Sequence, residues 1–394
     1  MLISRLNLAA LACLVVNPIL SFLVAVLYIY KRREYPSFVL SASISLIYLY
    51  QPIPWDVRSI FYIVSDGARV SDNLYFYGVS FLQKYFSLEY MQAIGIFIFI
   101  SVFLGLSLLN KCIKISSRRA SFAVMLFSLY MLLDYRYVFD LSRTYLAVIL
   151  AAYIFVGCYR YSNFIFAAFS VLIHPFAAVL YFSKGFLKVN FLSNGWLLFF
   201  VVISPLFSVI LVAGMAEIIS RYPGDIFVRL AYYLEGPGSR YSSESIFLAV
   251  TVTRFVSILL ALYAYSKCEL SERGTARFRL LLLLGGVYGC FILNATISER
   301  LYLMFSIFLG FMLLCDYLKP RWRYLVVPIL SVHIVLLFHM FTVFYSTKYN
   351  DVVTSHSEKI SLSLKPLYYP TTSLIDVGSN GYSNDFIREK TNAR

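Results

Sequence analysis

Long apolar runs separated by short polar segments dominate the chain. A helix needs roughly 20 apolar residues to cross a bilayer core of about 30 Å. The pattern therefore predicts a polytopic, all-α integral membrane protein with about 10–12 transmembrane helices, some of them short or broken. The runs lie at 6–30, 37–51, 91–110, 120–134, 143–159, 195–214, 245–265, 279–295, 301–318 and 324–345.

The segment 162–184 can be read in two ways. If it crosses the membrane once, strict alternation puts the basic segment 266–279 outside, against the preference of Lys and Arg for the inner side. If it enters and returns as a short hairpin, that conflict disappears. Proline cannot continue a helical hydrogen-bond ladder, so we expect a break at His174-Pro175.

That choice places the most basic connections on one side of the membrane. The N-terminus and the C-terminal tail are then both expected outside, with two sizeable periplasmic loops near 52–90 and 215–244. Two short outer turns are expected at 134–143 and 296–300. The organisation predicted is a transmembrane domain over 1–345 and a polar, loosely ordered C-terminal tail over 346–394. The inner segments are 31–36, 111–119, 160–163, 184–190, 266–279 and 319–323.

Composition agrees with a membrane protein and excludes other classes. The 394 residues are 60% hydrophobic and 14% charged, whereas soluble domains carry about 25% charged residues. The net charge of +14 does not indicate nucleic-acid binding, because the basic residues punctuate the apolar runs instead of forming one stripe. The cysteines are isolated, which argues against a disulfide framework or a zinc site.

Charged residues concentrate in DYRYVFDLSRTYLA, residues 134–147. Ionisable groups at membrane depth are costly, so they indicate function by default. The arginine fork matches phosphate oxygens, and Arg136, Arg143, Arg254 and Arg300 are candidates to bind an anionic, lipid-linked substrate. The alternative is that these long side chains reach back to the interface. That alternative fits Arg254 least, since it lies about ten positions into its span.

The sequence offers fewer candidates for a general base than for an anion-binding arginine. Asp56 and Asp140 are carboxylates near the outer side, and a partly buried carboxylate can act as a base near neutral pH. Asp140 is also spaced to pair with Arg136 or Arg143 on a helix face. His174 lies beside a helix break, although an isolated histidine in apolar surroundings is more often structural.

Several motifs are missing from the sequence. It contains no Asp-x-Asp pair for chelating a nucleotide-sugar metal, no GxxxxGK[ST] loop, no HExxH and no GxSxG. The sequence therefore gives no support to a metal-dependent, nucleotide-driven or serine-hydrolase mechanism.

Three short motifs in order resemble those of the EpsG-like and Wzy-type polysaccharide polymerases. They are RTYLA from Arg143, HPFAA from His174 and RLYLMF from Arg300. WDVRSIFY, residues 55–62, is similar to an early outer Asp followed by Tyr in that family. The resemblance lies in the order and spacing of these motifs between residues 55 and 305. The C-terminal tail has no counterpart in the family.

The resemblance implies an inner-membrane glycosyltransferase of GT-C architecture that needs no metal or other cofactor. Its donor and acceptor would be undecaprenyl-pyrophosphate-linked glycans in membrane lipid. The active site would face the periplasm, and the product would be O-antigen or a similar surface polysaccharide. A flippase and a chain-length regulator of the Wzz type would be its partners, and no nucleic acid would be involved.

Within that family picture, each candidate residue receives an expected role. Arg143 and Arg300 are expected to bind pyrophosphate with support from Arg136 and Arg254. The base is expected to be His174, Asp140, Asp56 or Glu299. Residues expected to bind sugar from the outer loops are Trp55, Arg58, Arg221, Arg229 and Arg240.

Other functions remain open at the level of sequence. An O-antigen ligase would share the donor and would also use arginines and a histidine. A lipid-linked oligosaccharide flippase or transporter would need a basic cavity through the membrane, whereas the charge that lies outside the loops is skewed toward the outer side. A purely structural membrane subunit would not need Arg254 or the His-Pro break.

Overall fold

The fold of the described residues is entirely helical. The computed structural model describes residues 5–53, 57, 60–61, 64, 74–116, 120–134, 136–155, 163–181, 193–220, 247–267, 272–315, 331, 334 and 356–392, and none of these forms a strand. Within these ranges, three helices are long and apolar enough to cross a membrane: Tyr90–Ile115, Asn194–Val212 and Ala295–Cys315. These findings confirm an all-helical chain with candidate membrane spans, while the GT-C architecture and the periplasmic loops stay predictions.

The chain divides into two compact units, residues 1–177 with 338–394, and residues 178–337. This division does not test the predicted boundary between a transmembrane domain and a tail. In the first unit the helices are α1 Arg5–Val16, α2 Pro18–Arg32, α3 Ser37–Tyr48, α4 Leu74–Phe86, α5 Tyr90–Ile115, α6 Phe122–Leu132, α7 Ser142–Phe155, α8 Asn163–Ile173, α13 His356–Tyr368, α14 Thr371–Ile375, α15 Val377–Asn380 and α16 Asn384–Asn392. In the second unit they are α9 Asn194–Ser220, α10 Thr253–Ser266, α11 Glu272–Cys290 and α12 Ala295–Cys315.

Two π-helices interrupt this pattern. The first, π1, spans Arg136–Asp140 and precedes α7, and the second, π2, spans Phe247–Val252 and precedes α10. The outer turn expected at 134–143 is therefore wrong, because π1 and the start of α7 occupy it. The turn expected at 296–300 is also wrong, because α12 already begins at Ala295. The predicted span 324–345 lies outside the described residues except for two positions.

The predicted single span over residues 6–30 is wrong. Its chain turns at Asn17, whose extended backbone and side chain cap the N-terminus of α2. The Ser21 hydroxyl donates to the Ala10 carbonyl at 2.9 Å, although eleven residues in one helix would separate them by about 16 Å. The two helices therefore form a hairpin. The hairpin changes the predicted alternation of membrane crossings, and the side on which the N-terminus lies stays a prediction.

The C-terminal segment is ordered between residues 356 and 392, contrary to the loose tail expected. The Asn17 amide donates to the Pro366, Leu367 and Tyr369 carbonyls at 2.9, 3.2 and 3.1 Å. The Tyr50 hydroxyl donates to the Leu374 carbonyl at 2.8 Å. These helices thus cover the end of the first unit formed by the α1–α2 turn and the end of α3.

The opposite end of the first unit is held by Tyr35 and Asn110. The Tyr35 amide donates to the Asn110 side chain at 2.8 Å, and the Asn110 amide returns a bond to the Tyr35 carbonyl at 2.8 Å. The Tyr35 hydroxyl reaches the Met125 carbonyl, also at 2.8 Å. These bonds fix the α2–α3 connection against α5 and α6.

In the second unit, α9 packs closely against α11. A Cβ at Gly286 would lie 2.3 Å from the Phe200 ring, and one at Gly289 would lie 1.9 Å from the Ser204 hydroxyl. Only glycine leaves room for this approach, and small residues are the usual means of close helix packing in membranes. The inner loop expected over 266–279 is partly wrong, since α11 begins at Glu272.

Candidate arginine sites

Two arginines occupy the same position relative to a π-helix. Arg143 is the second residue of α7, which follows π1, and Arg254 is the second residue of α10, which follows π2. A Ser or Thr precedes each arginine, at Ser142 and Thr253. π-helices are rare, and they occur frequently at functional sites. The repeated arrangement singles out these two arginines as functional candidates.

Arg143 lies against the aromatic residues of α4. Its guanidinium carbon is 4.8 Å from the centre of the Phe76 ring, which is a cation–π contact. Next to it, the Tyr75 and Ser142 hydroxyl oxygens lie 2.9 Å apart in a buried position. The side chains of α4 therefore fix both the arginine and the residue before it.

Tyr75 contributes a protonated hydroxyl at physiological pH. Burial raises the pKa of Tyr75 to about 12, against the opposing effects of the Ser142 hydrogen bond and the Arg143 charge. α4 is not among the candidate membrane spans. Because Tyr75 stays neutral, it orients Ser142 without adding charge beside Arg143.

Arg254 lies in a buried network of the second unit. Its Nη2 is 3.4 Å from the Glu299 Oε1, and its guanidinium carbon is 5.3 Å from the centre of the Tyr302 ring. The Tyr302 hydroxyl donates toward the Ser257 hydroxyl at 3.3 Å. Arg254 is 5% exposed. A carboxylate, a ring and a neighbouring hydroxyl therefore fix its position.

Arg300 follows Glu299 on α12 and is buried at 6% exposure. The second unit thus places two buried arginines and one carboxylate near the start of α12 and α10. Burial of charged groups away from water is costly unless other groups compensate for it. Arg254 is paired with Glu299, and Arg300 is the next residue along α12, so this part of the second unit is a candidate to hold an anionic ligand.

His174 lies at a break in the helix, as predicted. α8 ends at Ile173, and a 3₁₀ turn follows at Pro175–Ala177. The Phe176 amide donates to the His174 Nδ1 at 3.2 Å. A neutral imidazole whose Nδ1 accepts this bond is the tautomer that carries its proton on Nε2. For His174 to act as a base through Nδ1, this bond would have to break.

The structure brings some of the predicted site residues together within each unit. Arg143 and His174 lie in the first unit, where the 3₁₀ turn packs against α7. Arg254, Glu299 and Arg300 lie together in the second unit. Arg136 and Asp140 are the first and last residues of π1. Outside the described residues are Asp56, Trp55, Arg58, Arg221, Arg229 and Arg240.

Sequence reasoning missed the aromatic partners of the arginines. Phe76 is about 70 residues from Arg143 along the chain, and no local pattern joins them. Tyr302 was part of a motif, yet its contact with Arg254 depends on the pairing of α10 with α12. The π-helices also carry no sequence signal that distinguishes them from ordinary apolar helix.

Comparison with known proteins supports a single family. No curated protein and no solved structure matches the chain. The model of the EpsG family matches residues 60–355, a range that contains both π-helices, both arginine clusters and His174. This polysaccharide-polymerase-like membrane protein therefore belongs to the EpsG family.

Proposed function

We propose that the chain is a glycosyltransferase of the bacterial inner membrane that polymerises a surface polysaccharide such as O-antigen. It would join undecaprenyl-pyrophosphate-linked oligosaccharide repeat units on the periplasmic side. The observation that carries this proposal is the pair of arginines, Arg143 and Arg254, each placed after a π-helix and against an aromatic ring. Family membership supplies the polymerase-like chemistry.

The reaction is a substitution at an anomeric carbon. A hydroxyl of the acceptor sugar attacks that carbon, and the bond to the pyrophosphate oxygen of the donor breaks. The acceptor hydroxyl loses its proton to a base, and undecaprenyl pyrophosphate leaves with the bonding electrons. Because negative charge grows on the leaving oxygen, fixed cations that contact it lower the barrier.

Both lipid-linked substrates carry a pyrophosphate, and both units of the chain carry arginines suited to bind one. Arg143 is the candidate in the first unit, and Arg254 and Arg300 are the candidates in the second. Their aromatic and carboxylate contacts restrict side-chain motion before substrate binds. Such preorganisation is what makes electrostatic stabilisation effective.

The base remains to be assigned among the earlier candidates. Glu299 commits one carboxylate oxygen to Arg254, which favours a role in positioning that arginine. The Nδ1 of His174 accepts a bond from the Phe176 amide, which disfavours Nδ1 as the base. These contacts leave Asp56 and Asp140 as the carboxylates to test first as bases.

The proposal is tested with purified protein, lipid-linked repeat units and a gel that resolves polymer lengths. Wild-type protein should give a ladder, and Arg143→Ala should lower the rate by about 10²–10³-fold, the usual cost of losing one electrostatic stabiliser. Arg388→Ala is the matched control, because Arg388 is an exposed arginine on α16. A normal ladder from Arg143→Ala would refute the role of this arginine.

The same assay separates the alternatives. A ligase would transfer finished polymer to an acceptor lipid without making a ladder, and a flippase would move substrate without changing its length.

The proposed reaction uses no metal, so the ladder should persist in EDTA. Loss of the ladder in EDTA with recovery on adding Mg²⁺ would contradict that part. A Wzz-type regulator and a flippase are proposed partners, and adding the regulator should narrow the length distribution.

A further inference from the structure

A cavity at the Tyr35–Asn110 end of the first unit is separate from the arginine sites. It is open, has a volume of about 460 Å³, and is lined by Tyr30, Lys31, Arg33, Ala120 and Ser121. Ligand sites commonly have volumes of about 300–1,000 Å³. The described residues of the lining include two cations and no carboxylate. The neighbouring Glu34 is exposed and does not line it.

The backbone at Arg33 has an unusual conformation for an arginine. Arg33 ends α2 with φ 58° and ψ 37°, in the left-handed region, and its amide donates to the Ile29 carbonyl at 3.0 Å. Glycine is the usual residue at such a helix end, with asparagine next. Backbone strain of this kind is often found at functional positions. An arginine at this position therefore indicates a functional role for its side chain.

The guanidinium of Arg33 contacts two aromatic rings. Its central carbon is 5.5 Å from the centre of the Tyr30 ring and 5.6 Å from that of Phe122. The two rings meet edge to face, with centres 5.1 Å apart. Two such cation–π contacts restrict the motion of the guanidinium.

One nitrogen of that guanidinium lacks an acceptor. Nη1 of Arg33 is buried and makes no hydrogen bond to any part of the chain that the structure describes. A buried charged donor without an acceptor is costly. A bound anion would supply the acceptor, and a phosphate oxygen matches the guanidinium fork in geometry.

Ser121 adds a neutral donor to the same cavity. Its oxygen caps α6 by accepting a bond from the Val124 amide at 3.3 Å. That bond uses the oxygen lone pair and leaves the hydroxyl hydrogen to donate. Arg33, Lys31 and Ser121 thus form a set of donors with two positive charges.

We propose that this cavity binds a phosphate group, either the phosphodiester of an anionic lipid headgroup or free phosphate. The apolar α2 ends at the cavity, and Lys31 and Arg32 form its last turn. Basic residues at the end of an apolar helix attract anionic headgroups. The site is independent of the proposed polymerase reaction, and its ligand would bind without being consumed.

The test uses the full-length protein in detergent and native mass spectrometry of bound lipid. Phosphatidylglycerol is compared with phosphatidylcholine, and inorganic phosphate is added as a competitor. Arg33→Asn should weaken phosphatidylglycerol binding about tenfold, because one charge-assisted contact is lost. Asparagine tolerates the left-handed backbone at this position. Lys114→Gln is the matched control, since Lys114 is an exposed cation at the same end of the unit.

Each outcome decides the proposal. Selective binding of phosphatidylglycerol that inorganic phosphate does not displace supports the site and identifies a lipid source. Displacement by millimolar phosphate supports the site and identifies free phosphate. Equal binding of phosphatidylglycerol and phosphate by wild type and Arg33→Asn overturns it. If Arg33→Asn loses its helical circular dichroism, Lys31→Gln replaces it, because Lys31 is exposed and should leave the fold intact.

Discussion

At the scale of single residues, the main result is that two candidate arginines are positioned by aromatic rings. Phe76 contacts Arg143, and Tyr302 contacts Arg254. A ring stabilises a cation by about 0.5–2 kcal/mol without neutralising it. The positive charge therefore stays available to an anionic substrate, which a carboxylate alone would not allow.

Glu299 gives a sharp test at this scale. If it positions Arg254, Glu299→Gln should keep a hydrogen-bonding oxygen beside the guanidinium and lower the polymerisation rate by only about tenfold, with an unchanged pH profile. If Glu299 were the base, the same change would abolish the reaction. Rates measured from pH 6 to pH 8 distinguish these results. Glu358→Gln on α13 is the control, because it makes the same change outside both arginine clusters.

The candidate site residues could be predicted from the sequence, but their contacts could not. Arg143, Arg254, Arg300 and His174 were named because charge is rare within apolar runs and because three motifs occur in order. Their partners were not, since a contact such as Arg143 with Phe76 joins separate helices. Such contacts depend on how the helices pack, and a single sequence does not show which helices pack together.

At the scale of elements, helix type and helix length are the features that the apolar pattern predicts least well. The pattern cannot distinguish a π-helix from an α-helix, because both form from local backbone hydrogen bonds and accept the same residue types. It also cannot show a turn inside an apolar run. At Asn17 the run 6–30 becomes a hairpin, since the asparagine side chain replaces the missing backbone bonds.

The glycines of α11 allow a test of helix packing. Gly286→Ala should destabilise the protein by about 1–3 kcal/mol, because its Cβ would overlap the Phe200 ring. Gly214→Ala on α9 is the control, since nothing lies within 4 Å of the added atom. Thermal unfolding in detergent compares the two. Equal melting temperatures would show that α9 and α11 do not pack as described.

At the scale of the whole molecule, the C-terminal helices are an integral part of the first unit. Leu374, Val377 and Tyr382 are each 0% exposed. The Asn384 amide donates to the Glu89 carboxylate at 2.9 Å, and the Tyr90 amide donates to the Asn384 side chain at 3.0 Å. A segment with this many buried contacts stabilises the unit it covers.

Two adjacent residues test that role. Leu374→Ala should lower the free energy of unfolding by about 2–5 kcal/mol, because it leaves a buried cavity. Ile375→Ala should change it by less than about 0.5 kcal/mol, since Ile375 is 55% exposed. Thermal unfolding of both variants in one detergent gives the comparison. A loosely attached tail would give two small and equal effects.

The sequence by itself determined the class of the molecule and the identity of its costly charges. Apolar runs require lipid as solvent, and an arginine such as Arg254 inside one requires a compensating function. Only the tertiary structure decided that residues 6–30 turn back, that the polar tail is helical, and which rings contact the arginines. These features depend on contacts between residues far apart in the chain, and hydrophobic periodicity describes only neighbours along it.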